Sequence, residues 1–249
     1  MFNFNQPNLE WENLRIGITG ANGSLGKALT KNLRSKGSYL IGLSHSIEIN
    51  KRDNTSENSP HEWVKWSCGK EIDLDEILSS LNILVLNHGV NTKGKQETKD
   101  INTSLDVNFI STWKLIERFE ELSIESNRVK STKEIWVNTS EAEIQPALSP
   151  TYEISKRLLG EVVSLRQNNP SKAEMGEIRI RKLILGPFKS QLNPIGIMSA
   201  DFVASQILKQ VNLNLNLIIV TPNPITYFLM PITEIMRYIY SAITKKYFS

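Results

Sequence analysis

The chain has 249 residues, of which 40% are hydrophobic and 22% are charged, and these proportions exclude a disordered, collagen-like or coiled-coil protein. A net charge of +3, without a dense run of Lys or Arg, gives no support for nucleic-acid binding. The single cysteine, Cys68, excludes an internal disulfide framework, and the scattered His45, His61 and His88 predict no metal site of recognised pattern.

Short apolar segments typical of buried strands alternate with segments whose apolar residues recur at helical spacing. The predicted strands are Arg15–Thr19, Tyr39–Leu43, Trp63–Trp66, Ile83–Leu86, Ile135–Val137, Ile178–Leu185 and Leu217–Val220. The main predicted helices are Ser24–Lys36, about Asn102 to Ser123, Tyr152–Arg166 and Ser199–Val211. This alternation predicts an α/β fold: a single doubly wound Rossmann-type domain over residues 1–225, with about seven parallel strands and helices on both faces.

A glycine-rich segment joins the first predicted strand to the first predicted helix. Glycines without Cβ atoms allow a tight turn and a close approach to a pyrophosphate, and the helix N-terminus offers N–H groups to the phosphates. Because the motif stands in the first strand–helix unit, we favour a dinucleotide site over an ordinary glycine-rich turn. The residues expected to contact the dinucleotide here are Gly20, Asn22, Gly23, Ser24, Leu25 and Gly26.

The end of the second predicted strand bears on the choice of cofactor. Sites specific for NAD place an Asp or Glu there to bind the ribose 2′-hydroxyl, whereas this chain has Ser44-His45-Ser46. We therefore favour NADP over NAD, with Ser44 bonded to the 2′-phosphate and charge supplied by Lys27, Lys51 or Arg52. The alternative is that these are solvated loop residues.

Tyr152 and Lys156 stand four residues apart on a predicted helix, which places them roughly 5–6 Å apart at Cβ. A lysine ammonium stabilises a phenolate and lowers the phenol pKa, which suits acid–base work on an alcohol or carbonyl. The alternative is a solvated surface pair, since this spacing is common by chance. The predicted apolar stripe of this helix, beside the pair, is Ile154, Leu158, Val162 and Leu165.

Hydroxyl residues follow the strand that precedes this helix. In a doubly wound sheet such a position faces the ligand crevice, so Ser140, with Thr139 as the alternative, is expected to bond a substrate oxygen. On the long helix, Asn108 interrupts a mostly apolar face. It is either a structural amide bonded to nearby backbone or a residue that holds a water and relays protons to Lys156.

These motifs together resemble the short-chain dehydrogenase/reductase family over nearly the whole chain. Gly20, Gly23 and Gly26 are spaced as in its extended or atypical branches, and Asn87-His88-Gly89 resembles its Asn-Asn-Ala-Gly segment, with His88 in place of a small residue. By this resemblance Asn87 and Gly89 contact the cofactor. The resemblance also implies a catalytic tetrad, which here is Asn108, Ser140, Tyr152 and Lys156.

The segment Leu185–Ser190 resembles the family's Pro-Gly segment with the Gly and Pro swapped, which implies that Pro187 and Ser190 contact the nicotinamide half. The resemblance implies an NADP(H)-dependent oxidoreductase, with NAD possible, that acts on a carbonyl or alcohol substrate. In it Tyr152 is the acid/base and also contacts the cofactor, as does Lys156.

Two alternatives to an oxidoreductase stay open. One is a non-catalytic dinucleotide-binding sensor or scaffold, motivated by the irregular glycine spacing. The other is a nucleotide-sugar epimerase or dehydratase with Glu141 as an acid or base, which is disfavoured because 249 residues leave no room for the C-terminal substrate domain of those enzymes.

A narrower resemblance is to a cyanobacterial group often labelled bifunctional sterol desaturase/short-chain dehydrogenase. It rests on the runs Val85–Asn91, Val137–Glu143 and Arg181–Ser190. A desaturase half needs clustered histidines in membrane helices, and this chain has neither.

The C-terminal segment, residues 226–249, predicts an amphipathic helix with Ile232, Ile235, Met236, Ile239 and Ile243 on one side. We favour packing of this helix on the domain or on a second subunit. The alternative is a helix that lies on a membrane or frames the entrance for a lipid-like substrate. No signal-peptide or membrane-spanning pattern is found, so we expect a cytoplasmic protein, with peripheral membrane attachment as the alternative. We also expect a homo-oligomer.

Overall fold

A computed structural model describes residues 9–45, 57–95, 97–125, 133–168 and 178–248, without the side chains of residues 125 and 244–248. The described strands are β1 (Arg15–Thr19), β2 (Tyr39–Ser44), β3 (Glu62–Lys65), β4 (Ile83–Leu86), β5 (Lys133–Ser140), β6 (Ile178–Leu185) and β7 (Leu217–Val220). They form one parallel sheet in the order β3-β2-β1-β4-β5-β6-β7. The predicted fold class is confirmed.

The described helices are α1 (Ser24–Arg34), α2 (Asp75–Ser80), α3 (Thr98–Leu105), α4 (Ser111–Glu125), α5 (Pro150–Asn168), α6 (Ala200–Asn212) and α7 (Pro224–Phe248). One buried cluster joins the sheet to α1 and α6, and a second joins it to α4 and α5. The sheet is therefore covered on both faces. The strand order reverses between β1 and β4, and this reversal opens a crevice at the carboxyl ends of the strands.

The single long helix predicted from about Asn102 to Ser123 is interrupted in the structure. A π-helical turn at Asp106–Ile110 lies between α3 and α4. Turns of this kind are frequent at functional sites, and this one contains Asn108. Periodicity alone does not show it, because an extra residue in one turn barely disturbs an apolar pattern.

The predicted apolar stripe of α5 does not face the core of the protein. Ile154, Leu158 and Leu165 are exposed, and the side of α5 that faces the protein carries Thr151, Ser155, Lys156, Leu159, Gly160, Val163 and Ser164. Small and polar residues are buried there because α5 lies close to its neighbours and bonds to them. The Ser104 hydroxyl, for example, donates to the Ser155 hydroxyl over 3.1 Å.

Two neighbouring residues of β6, Arg181 and Lys182, are fully buried and point to opposite faces of the sheet. Arg181 forms a two-pronged ion pair with Glu134 of β5, over 2.7 and 2.8 Å. The Lys182 ammonium meets Glu143 over 2.7 Å and Glu234 of α7 over 2.9 Å. Arg237 bonds to both of these carboxylates, so we call Lys182, Glu143, Glu234 and Arg237 the Lys182 cluster.

Candidate active site

A cleft of about 790 Å³ lies at the carboxyl ends of the strands. Its walls are the segments that follow β1, β2, β4, β5 and β6, and most of the predicted site residues line it. Those that do so are Gly20, Asn22, Gly23, Ser24, Leu25, Ser44, Asn87, Gly89, Ser140, Tyr152, Lys156, Pro187 and Ser190. Two predicted residues, Gly26 and Asn108, lie behind the wall of the cleft.

The glycine loop has the backbone that a pyrophosphate needs. Gly20 has a φ of 62°, in the region that favours glycine, and the Gly23 N–H donates to the Gly20 carbonyl over 2.9 Å. No side chain caps the N-terminus of α1, and its first turn carries no acidic residue. The N-terminus of α1 therefore faces the cleft without a competing carboxylate, and the loop fits a dinucleotide diphosphate.

Gly26 supports the loop from below. A Cβ at this position would lie 2.4 Å from the Gly20 carbonyl oxygen and 2.6 Å from the Ala21 Cα. Both contacts are backbone atoms, so Gly26→Ala has to displace the loop. We expect dinucleotide affinity to fall by about tenfold or more, since overpacking costs about 1–3 kcal/mol.

Fluorescence titration with NADPH and NADH measures this loss. Gly37→Ala is the matched control, because Gly37 has a φ of 85° but lies at the far end of α1, against Glu12. It should lower the melting temperature and leave affinity unchanged. Equal affinities of the Gly26→Ala chain and the unaltered chain would contradict this account of the loop.

Hydrogen bonds to the Thr19 hydroxyl hold the segment that follows β4 in place. The Thr19 hydroxyl accepts the N–H of Asn87 over 2.9 Å and that of His88 over 3.2 Å. The His88 ring also lies 2.9 Å from this hydroxyl and packs edge-on against Trp66. Burial, with Lys156 nearby, lowers the pKa of His88 to about 3, so the ring is neutral and serves loop packing. The departure from the family motif at His88 is therefore accommodated by new packing.

The structure at the end of β2 does not decide between NADP and NAD, so the preference for NADP stays a prediction. Ser44 is buried and lines the cleft beside His45, and neither carries a carboxylate. Lys27 is exposed on α1 and does not line the cleft. Lys51 and Arg52 lie outside the described residues.

Tyr152, Lys156 and Ser140 come together at the floor of the cleft. The Ser140 hydroxyl is near enough to the Tyr152 phenol to lower its pKa. The Lys156 ammonium lies 5.8 Å from the centroid of the Tyr152 ring and donates to the Asn138 carbonyl over 2.9 Å. The pair is therefore not a solvated surface pair.

The pKa values in this cofactor-free chain differ from the sequence expectation for Tyr152. Burial raises the pKa of the phenol above its ordinary value, although the nearby Ser140 hydroxyl opposes the shift. Burial also lowers the pKa of Lys156 to about 8, against an upward effect of Glu143. A lysine with this pKa is still mostly charged near neutral pH.

Ser140, rather than Thr139, carries the hydroxyl beside Tyr152. The Thr139 hydroxyl is buried and donates to the Leu183 carbonyl of β6 over 3.1 Å. The Ser140 hydroxyl accepts the Ala142 N–H over 3.2 Å. Geometry thus favours Ser140 for the substrate oxygen.

The side chain of Asn108 is fully engaged inside the protein. Its carbonyl accepts the Val90 N–H over 2.7 Å, and its amide donates to the Val90 carbonyl and to the hydroxyls of Ser104 and Ser155 over 2.9 to 3.1 Å. These contacts match the structural alternative, in which Asn108 ties the segment after β4 to α5. A proton relay through Asn108 stays a prediction.

Pro187 and Ser190 lie in a folded segment after β6, where the Pro187 carbonyl accepts the Ile197 N–H over 2.8 Å. The Glu141 carboxylate accepts hydrogen bonds from the hydroxyls of Thr221 and Thr226. Glu141 therefore lines the cleft, but its carboxylate is bonded to one residue just before α7 and to one residue in its first turn.

One residue that sequence reasoning did not single out also shapes the site. Asn138 receives Lys156 on its backbone carbonyl, and its side chain donates to that of Asn87 over 2.9 Å. In the sequence, Asn138 could have been recognised as a site residue because it is a polar amide at the end of an apolar strand, directly before Thr139. Among the described residues, no cluster of three or more His, Cys, Asp or Glu could hold a metal ion.

Known proteins resemble this chain in sequence and in fold. Residues 16–169 match the model of the NAD dependent epimerase/dehydratase family. Monoglucosyldiacylglycerol epimerase of Synechocystis sp. (strain ATCC 27184 / PCC 6803 / Kazusa) is 42% identical over 233 residues, which are 93% of this chain and 55% of that protein. The chain therefore spans about half the length of this curated relative, which is an epimerase and not the sterol desaturase of the label noted above.

Solved structures of short-chain dehydrogenases share the fold. A short chain dehydrogenase from Burkholderia cenocepacia J2315 in complex with NADP has a TM-score of 0.73 and 14% identity, over 90% of this chain and 93% of that one. A short chain dehydrogenase/reductase family protein has a TM-score of 0.69 and 14% identity, over 86% and 97%. The match over residues 16–169 shows that the chain belongs to the NAD dependent epimerase/dehydratase family, and the solved structures show that it shares their Rossmann-type fold.

Proposed function

We propose that the chain is an epimerase that inverts one hydroxyl-bearing carbon in the sugar headgroup of a glucosylated glycerolipid. The observation that carries this proposal is the 42% identity, over 93% of the chain, to a protein named monoglucosyldiacylglycerol epimerase. The Ser140, Tyr152 and Lys156 arrangement supports it, because inversion at an alcohol carbon needs an acid/base beside the reacting oxygen.

A bound nicotinamide dinucleotide supplies a reversible hydride acceptor for the reacting carbon. Tyr152 removes the proton of the sugar hydroxyl as that carbon is oxidised. Ser140 donates to the same oxygen and keeps it beside the phenol. Tyr152 would give the proton back to that oxygen when the carbon is reduced again, so the proton transfer is reversed and the overall reaction is redox-neutral.

Lys156 acts on this proton transfer through its charge. Its ammonium is held beneath the cleft by the Asn138 carbonyl and stands beside the Tyr152 ring. A positive charge there favours the phenolate over the phenol, and so opposes the effect of burial on Tyr152.

The net oxidoreductase predicted from the sequence is the second candidate, since the same three residues serve carbonyl reduction. The two functions differ in cofactor consumption. An epimerase with a trace of NAD(P) forms many equivalents of an epimeric sugar with no net change in absorbance at 340 nm. An oxidoreductase changes that absorbance in proportion to product.

The experiment uses the chain with monoglucosyldiacylglycerol in detergent and cofactor at a hundredth of the substrate concentration. Sugar released from the lipid is then identified by chromatography and NMR. We expect an epimer of glucose in excess over the cofactor. Product limited to one equivalent of cofactor supports the oxidoreductase, and cofactor binding without any product supports a sensor or scaffold.

A further inference from the structure

The C-terminal helix α7 turns its apolar side outward. At 3.6 residues per turn, nine of its side chains share one arc of about 140°, and each is 39% to 71% exposed. We call these nine the outer stripe: Ile225, Phe228, Leu229, Ile232, Ile235, Met236, Ile239, Tyr240 and Ile243. None of them is charged, so the stripe is an exposed apolar surface of the kind that marks an interaction site.

The opposite side of α7 is polar and firmly anchored. Glu234 and Arg237 belong to the Lys182 cluster, and Arg237 also pairs with Glu161 of α5 over 2.5 Å. Thr226 and Met230 are fully buried on the same side. A helix that packs on its own domain ordinarily buries its apolar side. Here the buried ion pairs hold the polar side of α7 against the protein. The outer stripe therefore faces solvent because of specific contacts on the other side of the helix.

The outer stripe begins beside the mouth of the cleft. Gln145 bonds to Thr226 over 2.6 Å and to Asn223 over 2.6 Å, and the residues after Gln145 form the cleft wall. Among them Leu148 is 86% exposed. Leu192, which also lines the cleft, is exposed as well. Exposed apolar side chains therefore stand both at the mouth of the cleft and on the helix that begins beside it.

We propose that the outer stripe and the apolar mouth rest on the surface of a lipid bilayer, with the cleft open toward the headgroups. The inference rests on the proposed function, because a diacyl glycolipid keeps its acyl chains in the bilayer and offers only its sugar at the surface. A helix with one apolar side lies in the plane of the interface, its side chains about 5–10 Å deep. Among the described residues, no helix is long and apolar enough to cross a membrane.

Charge and side-chain type favour a bilayer over a second protein. Lys245 and Lys246 follow the stripe in sequence, and the chain carries a net charge of +3. Basic residues beside a membrane-surface helix are attracted by anionic lipids. Tyr240 is an aromatic side chain of the kind found at membrane interfaces, and Phe228 is of the kind found on the apolar side of membrane-surface helices.

The test is sedimentation of the 249-residue chain with vesicles of phosphatidylcholine and phosphatidylglycerol that contain no glycolipid. The stripe variant carries Phe228→Asp, Met236→Asp and Tyr240→Asp, at the three most exposed positions of the stripe. The control carries Ile72→Asp and Leu213→Asp, at residues 68% and 69% exposed elsewhere on the surface. Circular dichroism and melting temperature show that each variant folds.

We expect the unaltered chain and the control to sediment with the vesicles, and the stripe variant to bind at least tenfold more weakly. An unaltered chain that does not bind, or a control that loses as much as the stripe variant, would overturn the inference. So would a stripe variant that keeps vesicle binding but changes a dimer into a monomer in sedimentation velocity. That result would assign the stripe to a second copy of the chain.

A water-soluble glucosyl glyceride with short acyl chains separates this inference from the proposed function. The stripe variant should epimerise this substrate as the unaltered chain does and fail on substrate held in vesicles. If the unaltered chain epimerises the soluble substrate but does not bind vesicles, only the proposed membrane contact is refuted. Stripe-dependent binding without epimerisation of either substrate refutes only the epimerase.

Discussion

Replacing Tyr152 by Phe is expected to lower turnover by about 10²- to 10⁴-fold, the usual contribution of a general acid–base group. The change removes one hydroxyl from a ring held beside Ser140 and Lys156, so the shape of the cleft is kept. Dinucleotide affinity should therefore stay within about threefold, which is less than 1 kcal/mol. Single-turnover rates and a fluorescence titration measure the two quantities separately.

Lys156→Met and Ser140→Ala are the companion variants. The Lys156 ammonium, with a pKa of about 8, is charged below that pH and loses its charge above it. Removing it raises the Tyr152 pKa, so the pH at which the rate rises should move upward in Lys156→Met. Ser140→Ala should lower the rate without that shift. A Tyr152→Phe chain with unchanged turnover would exclude Tyr152 as the acid/base.

The parts of the site that are local in sequence could be predicted from it. The glycine turn is formed by β1, a short loop and α1, which are consecutive in the sequence. The pattern Gly20–Gly26 and its neighbours are therefore enough to predict the turn. Tyr152 and Lys156 meet because they are one helical turn apart. The parallel direction of the strands follows from the helical segments that connect them.

The parts that depend on distant partners could not be predicted in the same way. Nothing near Lys182 in sequence shows that it is buried, because its partners Glu143 and Glu234 stand 39 and 52 residues away. The apolar pattern of α5 and α7 shows that each segment is helical, but it does not show which side of the helix faces the protein. Ile154 on α5 and Ile232 on α7 belong to apolar stripes that face outward, since polar contacts decide which side of each helix is buried.

Replacing Lys182 by Met is expected to lower the free energy of unfolding by about 3–5 kcal/mol, the cost of leaving buried charges without their partner. The Lys182 ammonium donates to Glu143, Glu234, the Gly160 carbonyl and Ser164 over 2.7 to 2.9 Å. Urea unfolding measures the loss. Arg157→Met is the control, because Arg157 is 44% exposed and pairs with Glu153 one turn away on α5. Such a surface pair is worth about 0.5 kcal/mol or less.

A double variant, Lys182→Met with Glu143→Gln, separates charge imbalance from lost packing. It removes one charge of each sign and leaves Glu234 paired with Arg237. We expect it to be more stable than Lys182→Met alone by about 1 kcal/mol or more. If it is less stable than the single variant by the full cost of Glu143→Gln, the Lys182 cluster does not act as a set of balanced charges.

The same variants bear on α7, because Lys182 of β6 and Glu143 hold Glu234 and Arg237 of the helix. Burial works to raise the pKa of Glu234, but Lys182 and the other partners bring it below its ordinary value of 4.5. The stability from this shift is present above pH 4.5 and is lost as the pH falls further. Lys182→Met should therefore lose less stability in that acid range than the unaltered chain does. It should also be cut faster by trypsin at Arg237, since the helix that presents the outer stripe is then less firmly held.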